Sequence, residues 1–201
     1  MRKAPRQRRS QETVDALIEA TALTVAERGL ADATTNHIAA RAGVSVGSLY
    51  QYFESKDALI DALLDRSSQE LAAVVDQRLA GLLDAPPRVV VENLLTAVVE
   101  VLQDGPAHHL ELLRHWQQIS TLRALQSLER HMHDACRRYV LRHVTAVRID
   151  DLPAALFVVI NSTLFTLLHY LSQSPPPLPR EAVITSLSEM IARYVSAPGD
   201  P

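Results

Sequence analysis

No proline falls between Pro5 and Pro86, and none between Pro106 and Pro153. A proline inside a helix removes a backbone donor and collides with the preceding turn, so these gaps leave room for long helices. Apolar residues within them follow a helical period rather than an alternating one. Leu59, Ile60, Leu63, Leu64, Leu71, Val74, Val75, Leu79 and Leu82 form one stripe from Lys56 to about Leu83. Only six glycines occur among 201 residues, and no long stretch alternates β-branched or aromatic residues with polar ones. The expectation is an all-α chain of about nine helices.

Local signals place their ends. The first helix is expected from about Gln11 to Arg28, capped by Ser10, with Glu12 and Asp15 near its positive end. Val14, Leu17, Ile18 and Val25 give it one apolar face, and Gly29 can take the left-handed conformation that ends it. A short helix, "TTNHIAARAG", is capped by Thr34 or Thr35 and stopped by Gly43. The third is expected from Val46 to about Glu54 behind Ser45, and the fourth from Lys56 behind Ser55. Further helices lie in "PPRVVVENLLTAVVEVLQDGP", "AHHLELLRHWQQ", "STLRALQSLERHMHDACRRYVLRHVTAV" and "DLPAALFVVINSTLFTLLHYLS". A last one carries Val183, Ile184, Leu187, Met190, Ile191, Tyr194 and Val195.

Charge is uneven along the chain. Overall it is −3, yet residues 1–57 hold eight Lys/Arg and seven Asp/Glu, net +1, leaving twelve against sixteen beyond them. Arg2, Lys3, Arg6, Arg8 and Arg9 meet no acid in the first ten residues. Such an arm fits an anionic partner or a solubilising tail, and by itself decides neither. Glu12, Asp15, Glu19 and Glu27 follow it, so a signal peptide is not expected. The single cysteine, Cys136, excludes an internal disulfide framework and fits a cytoplasmic protein. No charged residue occurs between Asp151 and Arg180, a stretch about long enough to span a bilayer. Asn161, Ser162, Thr163, Thr166 and His169 interrupt it. A helix buried at a subunit interface is the preferred reading, a membrane-associated protein the alternative.

The run "AGVSVGSLYQYFESK" carries the chemistry. Two short helices around a glycine turn make a helix-turn-helix. Ala39 and Ala42 let the helices approach, Gly43 supplies the turn, Val44 plugs the angle, and Leu49 and Phe53 face inward. Small residues Val46, Gly47 and Ser48 bring the second helix's start close to a groove floor, while Ser48, Gln51 and Tyr52 point outward. Hydroxyl, amide and phenol groups bond phosphates and base edges, and Lys56 adds a charge beside a helix N-terminus.

"TTNHIAARAGVSVGSLYQYFESKDAL" resembles the DNA-binding signature of the tetracycline-repressor (TetR) family of bacterial transcriptional regulators, over roughly residues 10–60. The resemblance implies a basic arm (1–9), a DNA-binding head (10–57) and a ligand-binding and dimerisation body (58–201). It implies that Val46, Gly47, Ser48 and Gln51 face bases, and that Thr34, Tyr50, Tyr52 and Lys56 hold phosphates. Thr35 and Ser45 complete the expected contact set, and the N-terminal arginines would reach the minor groove.

For the body, two apolar C-terminal helices offer more face than one small core needs, so a homodimer is expected through Ile160, Leu164, Leu168, Leu187, Met190, Ile191 and Tyr194. Trp116, Met132, Cys136, Tyr139, Asn161 and Phe165 are candidates to line a small-molecule cavity. His108, Glu111 and His115 share a helical face, as do His133, Cys136 and His143, but such triplets arise readily with eight histidines, and no metal or cofactor is expected. Neither a phosphate loop nor a nucleophile elbow occurs, and an enzyme is not expected. The functional expectation is a repressor that binds palindromic double-stranded DNA as a dimer and is released by a small, largely apolar effector. A DNA-binding regulator controlled by a protein partner is the alternative.

Overall fold

The computed structural model describes residues 5–115, 122–143 and 151–195, and among them every regular element is a helix. They are α1 (Pro5–Asp32), α2 (Thr35–Ala42), α3 (Val46–Tyr50), α4 (Lys56–Ala80), α5 (Pro87–Gln103), α6 (Ala107–Arg114), α7 (Leu122–Arg142), α8 (Leu152–Ser172) and α9 (Arg180–Val195). The all-α expectation therefore holds.

Expected caps recur with their hydrogen bonds. Thr34, Ser45, Ser55 and Asp151 accept from the backbone N–H of His37, Ser48, Ala58 and Ala154, at 3.3, 3.0, 3.1 and 3.0 Å. Each side chain satisfies a donor that the first helical turn leaves open. Ser10 departs from this pattern. α1 begins at Pro5, so Ser10 lies inside it and residues 5–9 of the expected arm are helical. Proline suits a first helical turn, and Arg8 pairs with Glu12 at 3.1 Å one turn on. At its other end Gly29 breaks the helix with φ +79°, and Leu30 turns back into the core. α3 is also shorter than expected. Past Tyr50 the backbone tightens into turns closed by Gln51 N–H to Ser48 O and Tyr52 N–H to Leu49 O.

Three apolar clusters organise the packing. Leu17, Ala20, Ile38, Ala39, Leu49 and Leu59 fill a small head built from α1, α2, α3 and the start of α4. A junction cluster joins α1, α4 and α6 through Val25, Leu30, Ile60, Leu63 and Leu112. The largest cluster fills the body, where Leu71, Val75 and Leu79 of α4 meet Val99 of α5, Tyr139 of α7, Leu171 of α8 and Leu187 of α9. At ~1.5 Å per residue, α4 is about 37 Å long and runs through all three.

Polar contacts pin the helix ends. Tyr139 Oη donates to Ala85 O at 2.7 Å, and Arg142 grips Asp84 at 2.6 and 3.1 Å, which fastens α7 to the α4–α5 turn. Arg180 reaches Asp104 at 3.0 Å across the start of α9 and the end of α5. α8 is long and apolar enough to cross a membrane, and it packs against α5, α6 and α7.

Two adjacent histidines on α6 are buried. The His108 and His109 ring centroids lie 4.4 Å apart, and neither Nε2 has a hydrogen-bond partner. Desolvation, then the neighbouring His109 and Arg66, push the His108 pKa down to about 4. The unfolded chain binds this proton more readily, so His108 contributes stability above pH ~6.5 that is lost as pH falls toward about 4. In a melting series over that range, His108→Leu is expected to show a shallower acid-side decline than the parent chain.

Candidate nucleic-acid interface

The head presents its second short helix through a tightly specified turn. Gly43 adopts φ +70°, ψ 26°, where an L side chain is strained. Its N–H reaches Ala40 O at 3.3 Å, and the Val44 N–H reaches Ala39 O at 3.0 Å. That pair of bonds closes the end of α2 and swings the chain into α3. Val44 and Phe53 pack against the head core, and Leu49 is fully buried beneath α3. An Arg41–Glu27 ion pair further ties α2 to α1.

On the outer side, Ser45, Gly47, Tyr50, Gln51 and Tyr52 are exposed and Ser48 is half-buried. Ser45 Oγ and Ser48 Oγ share a hydrogen bond at 2.8 Å, so these two hydroxyls act as a unit. Thr34 is exposed, and Thr35 Oγ1 lies 3.4 Å from Tyr50 Oη, linking the start of α2 to the end of α3. A Cβ on Gly47 would meet nothing nearer than Ser45 Oγ at 3.9 Å, an ordinary contact. Nothing inside the protomer requires glycine there.

Two residues of the expected set sit differently. Val46 is partly buried and packs against the head core, because the first apolar position of α3 falls on the inner face with Leu49 and Phe53. Lys56 turns inward and donates from Nζ to Leu30 O at 2.5 Å and Ala31 O at 3.3 Å. It thereby satisfies carbonyls left open where Gly29 breaks α1.

Directly behind this lysine, the Leu30 N–H donates to Glu111 Oε1 of α6 at 3.0 Å. Glu111 also lies 3.4 Å from His115 Nδ1 and 3.9 Å from Arg114. The head is thus tied to the body through one carboxylate that is distant in sequence, which no local pattern could signal. His108 and His109 are buried beside it on α6. In the other histidine triplet, His143 Nε2 lies 2.6 Å from Leu83 O and His133 Nε2 lies 4.0 Å from Glu129. Among the described residues no group of three or more His, Cys, Asp or Glu could hold a metal ion.

The body contains a cavity of about 110 Å³ between α4, α5, α7, α8 and α9. Met132, Cys136 and Tyr139 line it, together with Thr163 and with Ile160 and Ile191 from the expected dimer set. Burial pushes the Cys136 thiol pKa up to about 11, so it is a neutral wall group. Asn161 lies outside the cavity and donates to Glu129 Oε1 at 3.3 Å and Phe157 O at 3.0 Å. Phe165 is half exposed and borders a separate surface depression with His169 and Leu178. Trp116 falls outside the described residues.

Of the other expected dimer residues, Leu187 is buried in the body core, Leu164 and Leu168 are half-buried, and Met190 and Tyr194 are exposed. Phe157 and Val158 of α8, absent from that set, are exposed as well. α8 carries no Asp, Glu, Lys or Arg, so charge gives no mark of which face turns inward.

Known proteins share this arrangement. Residues 17–63 match the family described as bacterial regulatory proteins, tetR family. The HTH-type transcriptional regulator BetI of Cronobacter sakazakii is 36% identical over 100 residues, covering 50% of this chain and 48% of that protein. The matched segment therefore spans about half the length of that relative. BetI of Paraburkholderia phymatum is 31% identical over 153 residues, covering 68% of this chain and 76% of that protein. The chain belongs to the tetR family. The tetR-family fold extends over the body too. The crystal structure of RolR in complex with resorcinol superposes with a TM-score of 0.68 at 22% identity, covering 94% of this chain and 89% of RolR.

Proposed function

We propose that this tetR-family chain is a cytoplasmic, DNA-binding transcriptional repressor that acts as a homodimer and is released by a small molecule held in the body cavity. The observation that carries the DNA-binding reading is the outer face of α3. Exposed Gly47, Tyr50, Gln51 and Tyr52 stand on a helix anchored from behind by Leu49 and Phe53. Glycine at 47 answers no demand within the protomer, which supports an approach by something outside it. Gln51 is the base reader in this proposal, since its amide both donates and accepts toward a base edge. Thr34, Tyr50 and Tyr52 hold phosphates. Lys56 acts indirectly by fixing the end of α1 against the head.

Exposed Phe157, Val158, Met190 and Tyr194 support a second copy docking on α8 and α9. Two-fold symmetry would then present two α3 helices to a palindromic site. α4 runs from the head to the cavity wall, where Leu79 lines it, and so links effector to DNA. An effector that fits only one setting of α4 biases DNA affinity by the difference in its affinity for the two settings.

The test is footprinting on the DNA flanking the protein's own gene, followed by Gln51→Ala. A protected palindrome is expected, with the variant's preference for it over unrelated DNA falling about tenfold. Loss of affinity by the same factor on every sequence would remove Gln51 from base reading.

A further inference from the structure

The body cavity is walled by helices, which spend their backbone N–H and C=O groups on one another along their length. A guest there depends on side chains for any hydrogen bond. Of the lining side chains only Tyr139 and Thr163 carry oxygen, and none carries nitrogen or a charge. Tyr139 already gives its hydroxyl to Ala85 O at 2.7 Å. Thr163 Oγ1 has no accessible surface, so that residue offers the cavity carbon alone. No nitrogen or oxygen atom faces the space.

A guest entering this cavity exchanges water for apolar contacts only. For a hydrocarbon that exchange is favourable throughout, whereas a hydroxyl buried without a partner is penalised. A carboxylate or an ammonium loses still more. The volume of about 110 Å³ is on the scale of a cavity that accepts a single benzene ring. α7 suits its wall to such a ring. Met132, Cys136 and Tyr139 bring two sulfurs and an aromatic ring, which attract an aromatic guest beyond the area they bury. The other helices add branched aliphatic side chains such as Val90, Leu95 and Val159.

We propose that the body cavity binds a single-ring aromatic hydrocarbon without any hydrogen-bonding or charged group, and discriminates against polar analogues of the same shape. This rests on reading the body as an effector-binding module, and it narrows the effector to one chemical class.

Calorimetric titration of the full-length protein with toluene, phenol and benzoate tests it. Toluene and phenol differ only by a methyl group in place of a hydroxyl. Toluene is expected to bind about tenfold more tightly than phenol, the cost of an unpartnered hydroxyl, and benzoate not to bind. Phenol binding as tightly as toluene, or benzoate binding at all, would overturn the discrimination. Ala135 and Ala155 are buried in the cavity wall, so Ala135→Leu and Ala155→Leu should each remove most toluene binding. Circular dichroism checks that the variants fold, and the toluene–phenol comparison uses the parent chain and stands without them. Unchanged toluene affinity in both folded variants would place the guest elsewhere and overturn the site. A DNA-release assay with toluene separates the two readings. Toluene that binds with this preference without releasing DNA upholds the ligand class and refutes the effector mechanism. Toluene that fails to bind refutes the ligand class and leaves the effector reading standing.

Discussion

Gly105→Ala is expected to lower the melting temperature by roughly 8 °C, a larger effect than its exposed position suggests. Gly105 joins α5 to α6, and a Cβ there would lie 2.1 Å from Val101 O and 3.1 Å from Val101 C. The obstacle is backbone at the end of a helix, so no rotamer change relieves it. His109 Nδ1 also lies 3.1 Å from the same carbonyl, which helps to hold it in place. Displacing Val101 O disturbs both helices, at a cost of about 3 kcal/mol, near the upper end for a single substitution. For a domain of this size each kcal/mol moves the midpoint by about 2–4 °C. Thermal denaturation of the variant measures it directly. A midpoint within 2 °C of the parent's would mean that the α5–α6 connection has room to relax.

Leu49→Ala is expected to abolish specific DNA binding while leaving most of the helical signal intact. Leu49 is fully buried, and it is the only fully buried residue that α3 contributes to the head core, with Val46 partly buried against it. Truncating a leucine in such a site costs about 3 kcal/mol, from lost burial and from the cavity left behind. A core built around six residues holds little in reserve against that loss. The body core shares none of these side chains, so it should persist. Far-ultraviolet circular dichroism alongside a DNA gel shift separates the two. Retention of specific binding would show that α3 is held by its turn rather than by its buried leucine.

The features that proved legible in the sequence are those whose cause is local. Caps at Thr34, Ser45, Ser55 and Asp151, and positive φ at Gly29 and Gly43, follow from residues within one turn of the effect. The start of α1 was obscured because Ser10 is as good a cap as any, while nothing between Pro5 and Ser10 breaks a helix. The inward lean of Val46 is not legible either, because a five-residue helix carries too short a pattern to fix its rotation. The hydrogen bonds of Lys56 to Leu30 O and Ala31 O are not legible locally, because those acceptors lie 26 and 25 residues away. Glu111 and Leu30 are 81 apart, beyond the reach of any spacing rule. On α8 an uncharged surface all round leaves inward and outward faces indistinguishable until the neighbours are in place.

The Leu30–Glu111 contact also limits how freely the parts of such a protein can be exchanged. A head cut out after Leu59, the last residue of its core, and grafted onto another body would carry the Leu30 amide with it and leave its acceptor behind. Unless the recipient offers a carboxylate at the matching turn of its own α6, the transplanted head is expected to lose this tie to the body. Chimaeras made at this boundary should therefore carry the α6 acid across with the head, as though the reading module were encoded in two separate pieces of the chain.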